Sequence, residues 1–489
     1  MKPLSEEQTL VHNHFTTCRD NIFVSAGPGT GKTHTLTALA ESVQDSVTKG
    51  FTSFSKAIVD DLQRANPDLK GCINTSHSMS YRTLRNAFPT TTFSLDENKY
   101  LNYLKYDFDT SFIKKESKKK LTVKELISKE YAFRYKVVQL FNLCCQNLVD
   151  FNDVSQIIRI AIDYEISFGE HEIDGVTFLA DRIYRPNRKA SITFTDMLYF
   201  THKFVDKDKF DPFDVLFIDE VQDLNPLQLS VLNNYIGDRY VAAGDDRQVL
   251  YRFMGSNLNS YKTLQTNAKH FTLSVTRRCS KAVVNEANKV FPGLVAYETN
   301  IEGKVDLEGE VTNAQAGDFV LCRNNKPLMV AALKFLELNK PIMIVGKQYG
   351  KDLINIVNKV IEFKSTTKYL ESLIKKMKEQ GIESPEKTKR YIEEVDKCLT
   401  VNELYSKYND FGKVISVIES VFQDKITDDV IILSTIHRAK GLERKNVYFL
   451  NSELIPQEYA TSEDDLYVED CLKFVAITRA KENLIYCKV

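Results

Sequence analysis

The sequence predicts an α/β protein with parallel sheets, each interrupted by a mainly helical insertion. Two observations predict this fold class. Short apolar runs alternate with helical segments along much of the chain, which is the pattern of a parallel sheet covered by helices on both faces. Glycine and acidic residues follow these runs directly, as at Gly244–Asp246, and functional residues in such folds collect at the carboxyl ends of the strands. The length of 489 residues allows more than one hydrophobic core.

The first sheet domain is predicted from residues 1–85 and 190–271. Its elements follow a strand-then-helix order, and each apolar run has the length of a buried strand. They are a strand at Asn21–Ser25, a glycine-rich turn at Ala26–Gly31, a helix at Lys32–Ser42, a strand and helix within Phe51–Arg64, and strands at Val215–Ile218 and Tyr240–Ala243.

The segment between Tyr81 and Thr193 differs in pattern. It is helical, aromatic and rich in lysine, and it lacks strand alternation. We predict that residues 86–189 form a helical insertion in the first domain. The lysines at Lys114–Lys120 are consistent with contact to duplex nucleic acid or with a solvated helix face, and both interpretations stay open.

Alternation resumes at Thr272 and predicts a second sheet domain from residues 272–350 and 428–489. A polar helical stretch at residues 351–427 is predicted as a reduced insertion. The predicted strands of this domain are Phe319–Cys322, Ile342–Val345, Val430–Ser434, Asn446–Leu450 and Asn483–Cys487.

Composition excludes several classes of protein. Hydrophobic residues make up 43% and charged residues 27% of the chain, which is ordinary for a globular protein and excludes a disordered or fibrous chain. The net charge of −1 excludes a globally basic surface, although not a local basic groove. The apolar runs are too short to span a membrane, and nine irregularly spaced cysteines argue against a secreted disulfide framework. We therefore expect a soluble protein of a reducing compartment.

The strongest motif is the segment Ala26–Thr33, with sequence AGPGTGKT. A strand that leads through a glycine-rich turn into a helix presents backbone N–H groups to phosphate. Lys32 would reach the β- and γ-phosphates of a nucleotide, and the Thr33 hydroxyl would bind Mg²⁺. The first position of the usual pattern is glycine, and it is Ala26 here.

The acidic segment Asp219–Asp223 directly follows an apolar strand. A carboxylate at a strand end can hold Mg²⁺, and its neighbour can activate a water molecule. We assign Asp219 to the metal and Glu220 to the base. Arg278 and Arg479 are candidates for the positive charges that neutralise the γ-phosphate during hydrolysis.

The order of these motifs resembles the superfamily 1 UvrD/Rep-type DNA helicases, from Gln8 to Lys481. Such a resemblance implies two RecA-like domains with ATP bound between them. The segments that carry it are, in chain order, Leu4–Gln8, Ala26–Thr33, Thr52–Ala57, Thr75–Ser78, Asp219–Asp223, Gly244–Gln248, Tyr251 with Phe253, Thr276–Arg278, His437–Glu443 and Val475–Ala480.

The resemblance also implies roles for individual residues. The catalytic residues would be Glu220, Asp219, Gln248, Arg278 and Arg479. The nucleotide would be bound by Gln8, Ala26, Gly27, Pro28, Gly29, Thr30, Gly31, Lys32, Thr33, His34, Arg277 and Glu443. The nucleic acid would be bound by Phe54, Lys56, Thr75, His77, Tyr251, Phe253, His437 and Lys440.

Four positions depart from the family pattern. Arg277 stands where the family usually has a tyrosine stacked on adenine, and a guanidinium plane could stack instead. Phe253 replaces a base-stacking tryptophan, and Met254 replaces the arginine that follows it. Ser76 occupies a position that is usually aromatic. These changes concern the nucleic-acid path more than the nucleotide site.

The resemblance implies an ATP-dependent 3′–5′ DNA helicase or translocase that uses ATP and Mg²⁺. Its expected partners are single-stranded DNA, junctions of single- and double-stranded DNA, and proteins of replication, repair or defence, with no membrane. Three alternatives stay open: a translocase that does not separate strands, a motor subunit of a larger complex, and an enzyme that acts on RNA. The compact, lysine-rich chain without tryptophan suggests the cytoplasm of a bacterium or of a phage-infected cell.

Overall fold

A computed structural model describes residues 3–53, 56–69, 71–115, 117, 123–164, 166, 168–249, 258–379, 384–457 and 460–489. The chain divides into two compact units. The first unit comprises the described residues within 1–26, 32–246 and 251–273, and the second comprises those within 27–31, 247–250 and 274–489.

Strands are numbered in chain order, and each contains two to nine residues. They are β1 Ile22–Ala26, β2 Lys49–Thr52, β3 Ile73–Asn74, β4 Thr92–Leu95, β5 Lys189–Ile192, β6 Phe213–Ile218, β7 Ile236–Gly244, β8 Lys269–Leu273, β9 Val275–Thr276, β10 Val295–Ala296, β11 Lys304–Glu310, β12 Phe319–Cys322, β13 Ile342–Val345, β14 Phe422–Gln423, β15 Ile431–Thr435, β16 Arg444–Leu450 and β17 Ala480–Lys488.

The α-helices are numbered in the same way. They are α1 Glu6–Thr17, α2 Lys32–Ser42, α3 Lys56–Ala65, α4 Ser76–Ala87, α5 Lys99–Tyr106, α6 Phe112–Lys115, α7 Val123–Gln146, α8 Val154–Asp163, α9 Glu170–Ala180, α10 Phe194–Phe204, α11 Pro226–Asn233, α12 Leu258–Thr266, α13 Lys281–Ala287, α14 Asn325–Glu337, α15 Lys347–Phe363, α16 Thr366–Glu379, α17 Lys389–Tyr408, α18 Phe411–Val421 and α19 Glu463–Thr478.

The first unit is built on a parallel sheet with the strand order β3-β2-β6-β7-β1-β8. Successive residues of β1 point to opposite faces, so Ile22 and Val24 enter one hydrophobic core and Phe23 enters another. Strands buried on both faces are expected to be apolar throughout. Since β6, β7 and β1 are adjacent and parallel, the segments that follow Ile218, Gly244 and Ala26 leave the sheet at the same edge.

The second unit is built on a parallel sheet with the order β11-β17-β16-β12-β15-β13-β14. Alternation along β12 again separates two cores, with Val320 in one and Phe319 and Leu321 in the other. A short parallel pair, β9 and β10, completes the strands described in this unit. The predicted α/β class, with parallel sheets in two domains, is confirmed.

One feature of the first unit corrects the sequence analysis. The segment between Tyr81 and Thr193 was expected to lack strands, but β4 and β5 pair in parallel near its two ends. The partners are almost a hundred residues apart in sequence, so short-range alternation gives no sign of the pairing. The limits of the two insertions stay predictions. Among the described residues, each helix is too short or too polar to cross a membrane.

Candidate functional site

A glycine-rich turn joins β1 to α2. β1 ends at Ala26 and α2 begins at Lys32, so residues 27–31 form the turn. Gly29 has a φ angle of +71°, and a Cβ atom there would lie 2.3 Å from Cβ of Arg278. Glycine alone combines this left-handed backbone with so close an approach. The first N–H groups of an α-helix lack partners inside the helix, so the start of α2 is favourable for phosphate oxygens.

Two carboxylates lie against the first residues of α2. Lys32 Nζ is 2.9 Å from Oε2 of Glu220, and Thr33 Oγ1 donates a hydrogen bond of 2.8 Å to Oδ2 of Asp219. Both acidic residues follow Ile218, the last residue of β6. The parallel sheet therefore brings together two segments that are far apart in sequence.

Burial and charge determine how this cluster is protonated. Asp219 is 1% exposed, and burial together with repulsion from Glu220 raises its pKa to about 6. Burial acts to lower the pKa of Lys32, but the carboxylates of Glu220, Asp219 and Asp245 outweigh burial, and the pKa is raised. Lys32 is therefore a charged ammonium group surrounded by more than one negative charge.

The donor atoms of this cluster fit a magnesium ion. The Thr33 hydroxyl and the Asp219 carboxylate are oxygen donors, which Mg²⁺ prefers. The pKa of Asp219 is raised even though Lys32 acts to lower it, so a further positive charge would stabilise the ionised carboxylate. Thr33 and Asp219 are the residues that would hold the ion, and this assignment stays a prediction.

Gln222 also belongs to the cluster, although the sequence analysis gave it no role. This side chain is fully buried. Its Nε2 donates to Oε2 of Glu220, and its Oε1 accepts a 3.1 Å hydrogen bond from the backbone N–H of Asp245. Gln222 thereby ties Glu220 to the segment that follows β7. In the sequence, the one feature that could have indicated a role for Gln222 is its position inside the acidic segment Asp219–Asp223.

A second charged group lies in the second unit. Arg278 forms an ion pair with Glu443 through Nε and Oε2, and Lys481 Nζ is 2.9 Å from the other carboxylate oxygen. Burial acts to raise the pKa of Glu443, but Arg278 and Lys481 outweigh it, so the pKa is lowered. Glu443 is therefore an ionised anchor that orients the guanidinium of Arg278.

Arg479 lies at the carboxyl end of α19 and is 2% exposed. Its guanidinium donates to the backbone carbonyls of Val475 and Leu442, at 3.2 and 3.1 Å. A third contact of 3.5 Å reaches Oε1 of Gln248. Lys440 Nζ donates to the backbone carbonyl of Gln248 at 2.9 Å. Gln248 is therefore connected to two of the cations that the sequence analysis selected.

Arg277 and Tyr297 form a stacked pair. β9 and β10 pair in parallel with Thr276 opposite Ala296, so the residues that follow are neighbours. The guanidinium carbon of Arg277 lies 4.2 Å from the centre of the Tyr297 ring. The N–H of Arg277 donates to the carbonyl of Gly29 in the glycine-rich turn at 3.0 Å. Tyr297 carried no sequence signal, because its role depends on this strand pairing.

The other residues predicted for the nucleotide lie near the ends of helices. Gln8 is buried in the first turn of α1, where its Oε1 accepts a hydrogen bond from the N–H of Ser5. His34 lies in the first turn of α2, and its Nε2 is buried without a hydrogen-bond partner among the described residues. Within the turn, Thr30 Oγ1 donates to the carbonyl of Gly27 at 2.9 Å.

The residues predicted for the nucleic acid are described in part. Thr75 caps α4 through its hydroxyl, which accepts from the N–H of Ser78. His77 packs edge-on against Phe194 at 6.0 Å, and burial lowers its pKa. His437 lies in a short 3₁₀ helix, Ile436–Ala439. Three residues and the side chain of a fourth lie outside the described residues: Phe54, Tyr251, Phe253 and Lys56.

Two models of helicase domains match this chain. The model of the UvrD/REP helicase N-terminal domain matches residues 4–269, and that of the UvrD-like helicase C-terminal domain matches residues 177–489. The chain is also similar to the F-box DNA helicase protein 1 of Schizosaccharomyces pombe, with 25% identity over 303 residues. The alignment covers 56% of this chain and 34% of that protein, so the chain spans about a third of the length of its relative.

That relative is a fission yeast protein, which gives no support to the bacterial or phage source suggested by the composition. Each family model matches more than half of the chain. The two parallel-sheet units agree with the expected pair of RecA-like domains. The chain therefore belongs to the UvrD/Rep helicase family.

Proposed function

We propose that this protein is an ATP-dependent DNA helicase that moves 3′–5′ along single-stranded DNA. The observation that carries the proposal is the cluster at the start of α2, where Lys32 and Thr33 contact Glu220 and Asp219. A buried cation, a hydroxyl and two carboxylates beside a glycine-rich turn are the groups that nucleotide hydrolysis requires. The similarity to a protein named as a DNA helicase supports DNA as the nucleic acid.

In this proposal each residue of the cluster has a separate task. Lys32 binds the β- and γ-phosphate oxygens, and Glu220 accepts the proton of the attacking water. Gln222 holds Glu220 in position through its amide. Arg278 and Arg479 neutralise the charge that develops on the γ-phosphate. Thr33 and Asp219 would hold a magnesium ion, which would supply further positive charge at the phosphate oxygens.

A second candidate is a translocase that moves along single strands without separating a duplex. Met254 favours it, because the family places an arginine at this position and one contact to DNA is then absent. In this case the hydrolytic residues keep the same tasks. The difference lies in strand separation alone.

The first experiment is to measure the ATPase rate with and without single-stranded DNA and RNA, and to test unwinding of 3′-tailed and 5′-tailed duplexes. We expect stimulation by DNA and opening of the 3′-tailed substrate alone. Stimulation without opening of either duplex would favour the translocase or a partner-dependent motor. If only RNA stimulates the ATPase rate, the nucleic acid that the protein acts on is RNA and not DNA. If no strand stimulates the ATPase rate, the proposal is contradicted.

Replacement of Tyr297 tests the stacked pair beside the glycine-rich turn. Tyr297→Ala removes the ring that supports Arg277, and a cation–π contact of this kind contributes about 1 kcal/mol. We expect KM for ATP to rise about fivefold with kcat nearly unchanged. Tyr297→Phe keeps the ring and should keep KM. An equal effect of both substitutions, or no effect of either, would exclude this role.

A further inference from the structure

Three side chains that can bind a metal ion lie together where α1 ends. They are His14 in the last turn of the helix, Cys18, which caps it, and Asp20. Nε2 of His14 and Oδ2 of Asp20 are 2.9 Å apart, and the three ligand atoms, including Sγ of Cys18, all lie within 4.8 Å of one another. We call these three residues the α1 triad. An ion pair between His14 and Asp20 accounts for two of its members and does not involve the thiol.

Local backbone geometry brings the α1 triad together. His14 and Cys18 are four residues apart, a spacing that places two side chains on one face of a helix. The N–H of Cys18 donates to the carbonyl of His14 at 2.8 Å, and α1 ends there. The chain then turns, so that the carboxylate of Asp20 lies beside the imidazole of His14. The triad is therefore a local feature of residues 14–20.

The neighbouring strands hold the α1 triad in position. Arg239 on β7 is 5% exposed, and its guanidinium donates to the carbonyls of Phe15 and Cys18 at 3.1 and 2.6 Å. The ring of His14 packs against that of Phe271 on β8, with the ring centres 5.3 Å apart. The backbone and the imidazole are thus fixed by the sheet. The carboxylate of the triad is 58% exposed, so it can rotate toward a bound ion.

The donor atoms of the α1 triad indicate which metal suits it. Thiolate, imidazole and carboxylate are the ligand types of zinc in proteins, with bonds of about 2.0–2.3 Å. Ligand atoms around a tetrahedral zinc ion are then about 3.5 Å apart, so the triad must contract by only about 1 Å. Magnesium and calcium prefer sets of oxygen atoms, and the charges of Arg19 and Arg239 oppose a cation that is held by charge alone. A thiolate ligand therefore favours zinc.

We propose that the α1 triad binds one zinc ion, which leaves the fourth position of the ion to water. The Cys18 thiol releases its proton when the ion binds, because the thiolate is the ligand. Zinc held in this way ties the end of α1 to the start of β1, since Asp20 lies two residues before Ile22. The site shares no residue with those assigned to the nucleotide or the nucleic acid, so it goes beyond the proposed function and does not depend on it.

The test is a zinc titration of the full chain in competition with a chromophoric zinc chelator. The buffer contains a reductant and excess magnesium, which competes for the carboxylates at the start of α2. We expect one zinc ion per chain. Cys18→Ser and His14→Ala should bind zinc at least about tenfold more weakly, since loss of a group that merely orients a ligand already costs about 10–100-fold.

The matched controls are Cys72→Ser and His12→Ala. Cys72 is half-buried like Cys18, and His12 lies on α1 two residues from His14, a spacing at which side chains do not face each other. Both controls should bind zinc as the wild-type protein does. Cobalt(II) gives a second readout, because a cobalt–thiolate bond absorbs in the near ultraviolet. This absorption should be present in the wild-type protein and absent in Cys18→Ser.

Three results would overturn the inference. One is a wild-type protein that binds no zinc, which would leave an ion pair between His14 and Asp20 and nothing more. Another is equal zinc affinity of the wild-type protein and Cys18→Ser, which would place the ion elsewhere. The third is an equal loss of affinity in the Cys72→Ser or His12→Ala control. None of these results depends on hydrolysis of ATP or on unwinding, so failure of the site and failure of the proposed function are distinguishable.

Discussion

Lys32→Ala is expected to lower the ATPase rate by about a thousandfold or more. The substitution removes the buried ammonium group that contacts Glu220 and faces Asp219 and Asp245. Loss of one preorganised donor to a developing charge typically reduces kcat by about 10²–10³, and here three carboxylates would also lose their common counter-charge. The measurement is steady-state phosphate release at saturating single-stranded DNA.

Lys269→Ala is a suitable control, because Lys269 is an exposed lysine on β8 of the same unit. It should keep the wild-type rate. Thermal melting of both variants would show whether either has lost its fold. A folded Lys32→Ala protein that retains ATPase activity would contradict the assignment of the glycine-rich turn to the nucleotide phosphates.

Arg479→Ala is expected to lower kcat by about a thousandfold while nucleotide affinity changes little. An arginine that neutralises γ-phosphate charge typically contributes about 10³–10⁵ in rate. Arg479 is held by the carbonyls of Val475 and Leu442 and contacts Gln248, so its guanidinium is fixed before the reaction. The measurements are kcat from steady-state hydrolysis and Kd from a fluorescent nucleotide.

The burial of Arg479 makes a stability control necessary, since its loss removes one donor from each of two carbonyls, and of these Val475 still accepts from Thr478 Oγ1 at 3.3 Å. Arg479→Lys retains a positive charge but loses the planar guanidinium group with its several N–H donors. We expect it to keep the fold and still hydrolyse ATP slowly. If Arg479→Ala abolishes nucleotide affinity and leaves kcat unchanged, Arg479 has a role in binding and not in the chemical step.

Strands with a strong local pattern could be predicted from the sequence. Phe319–Cys322 and Ile342–Val345 have the predicted bounds in the structure. A strand buried on both faces of a parallel sheet is an uninterrupted apolar run, and this signal needs no knowledge of the neighbouring strands. The turn after β1 could also be predicted, because glycines between a strand and a helix allow the backbone to approach phosphate closely.

Other strands could not be predicted, because their neighbours determine them. β3 and β14 contain two residues each, too few to show any periodicity. β4 and β5 depend on a partner from the far end of the same segment. A local sequence pattern carries no information about the free energy of pairing with a distant segment. These strands can therefore be identified only once the sheet is known.

The residues of the candidate site also fall into those that the sequence predicts and those that only the fold identifies. Lys32, Thr33, Asp219 and Glu220 were selected because their residue types and spacing carry the chemistry. Tyr297 was not selected, since an aromatic residue gains a role beside Arg277 only through the pairing of β9 with β10. Sequence patterns thus select candidates for the reacting groups, whereas the groups that position such candidates depend on the fold.

The backbone of Glu220 lies in the left-handed region, with a φ angle of 55°. A residue with a Cβ atom is disfavoured there by roughly 1–2 kcal/mol, and glycine would adopt this conformation more easily. Selection for thermal robustness alone would therefore replace this glutamate. Its presence indicates that the chain accepts a less stable backbone in order to direct a carboxylate. Engineering for higher heat resistance should leave this position unchanged, because a stabilising replacement there would remove the carboxylate that we propose as the catalytic base.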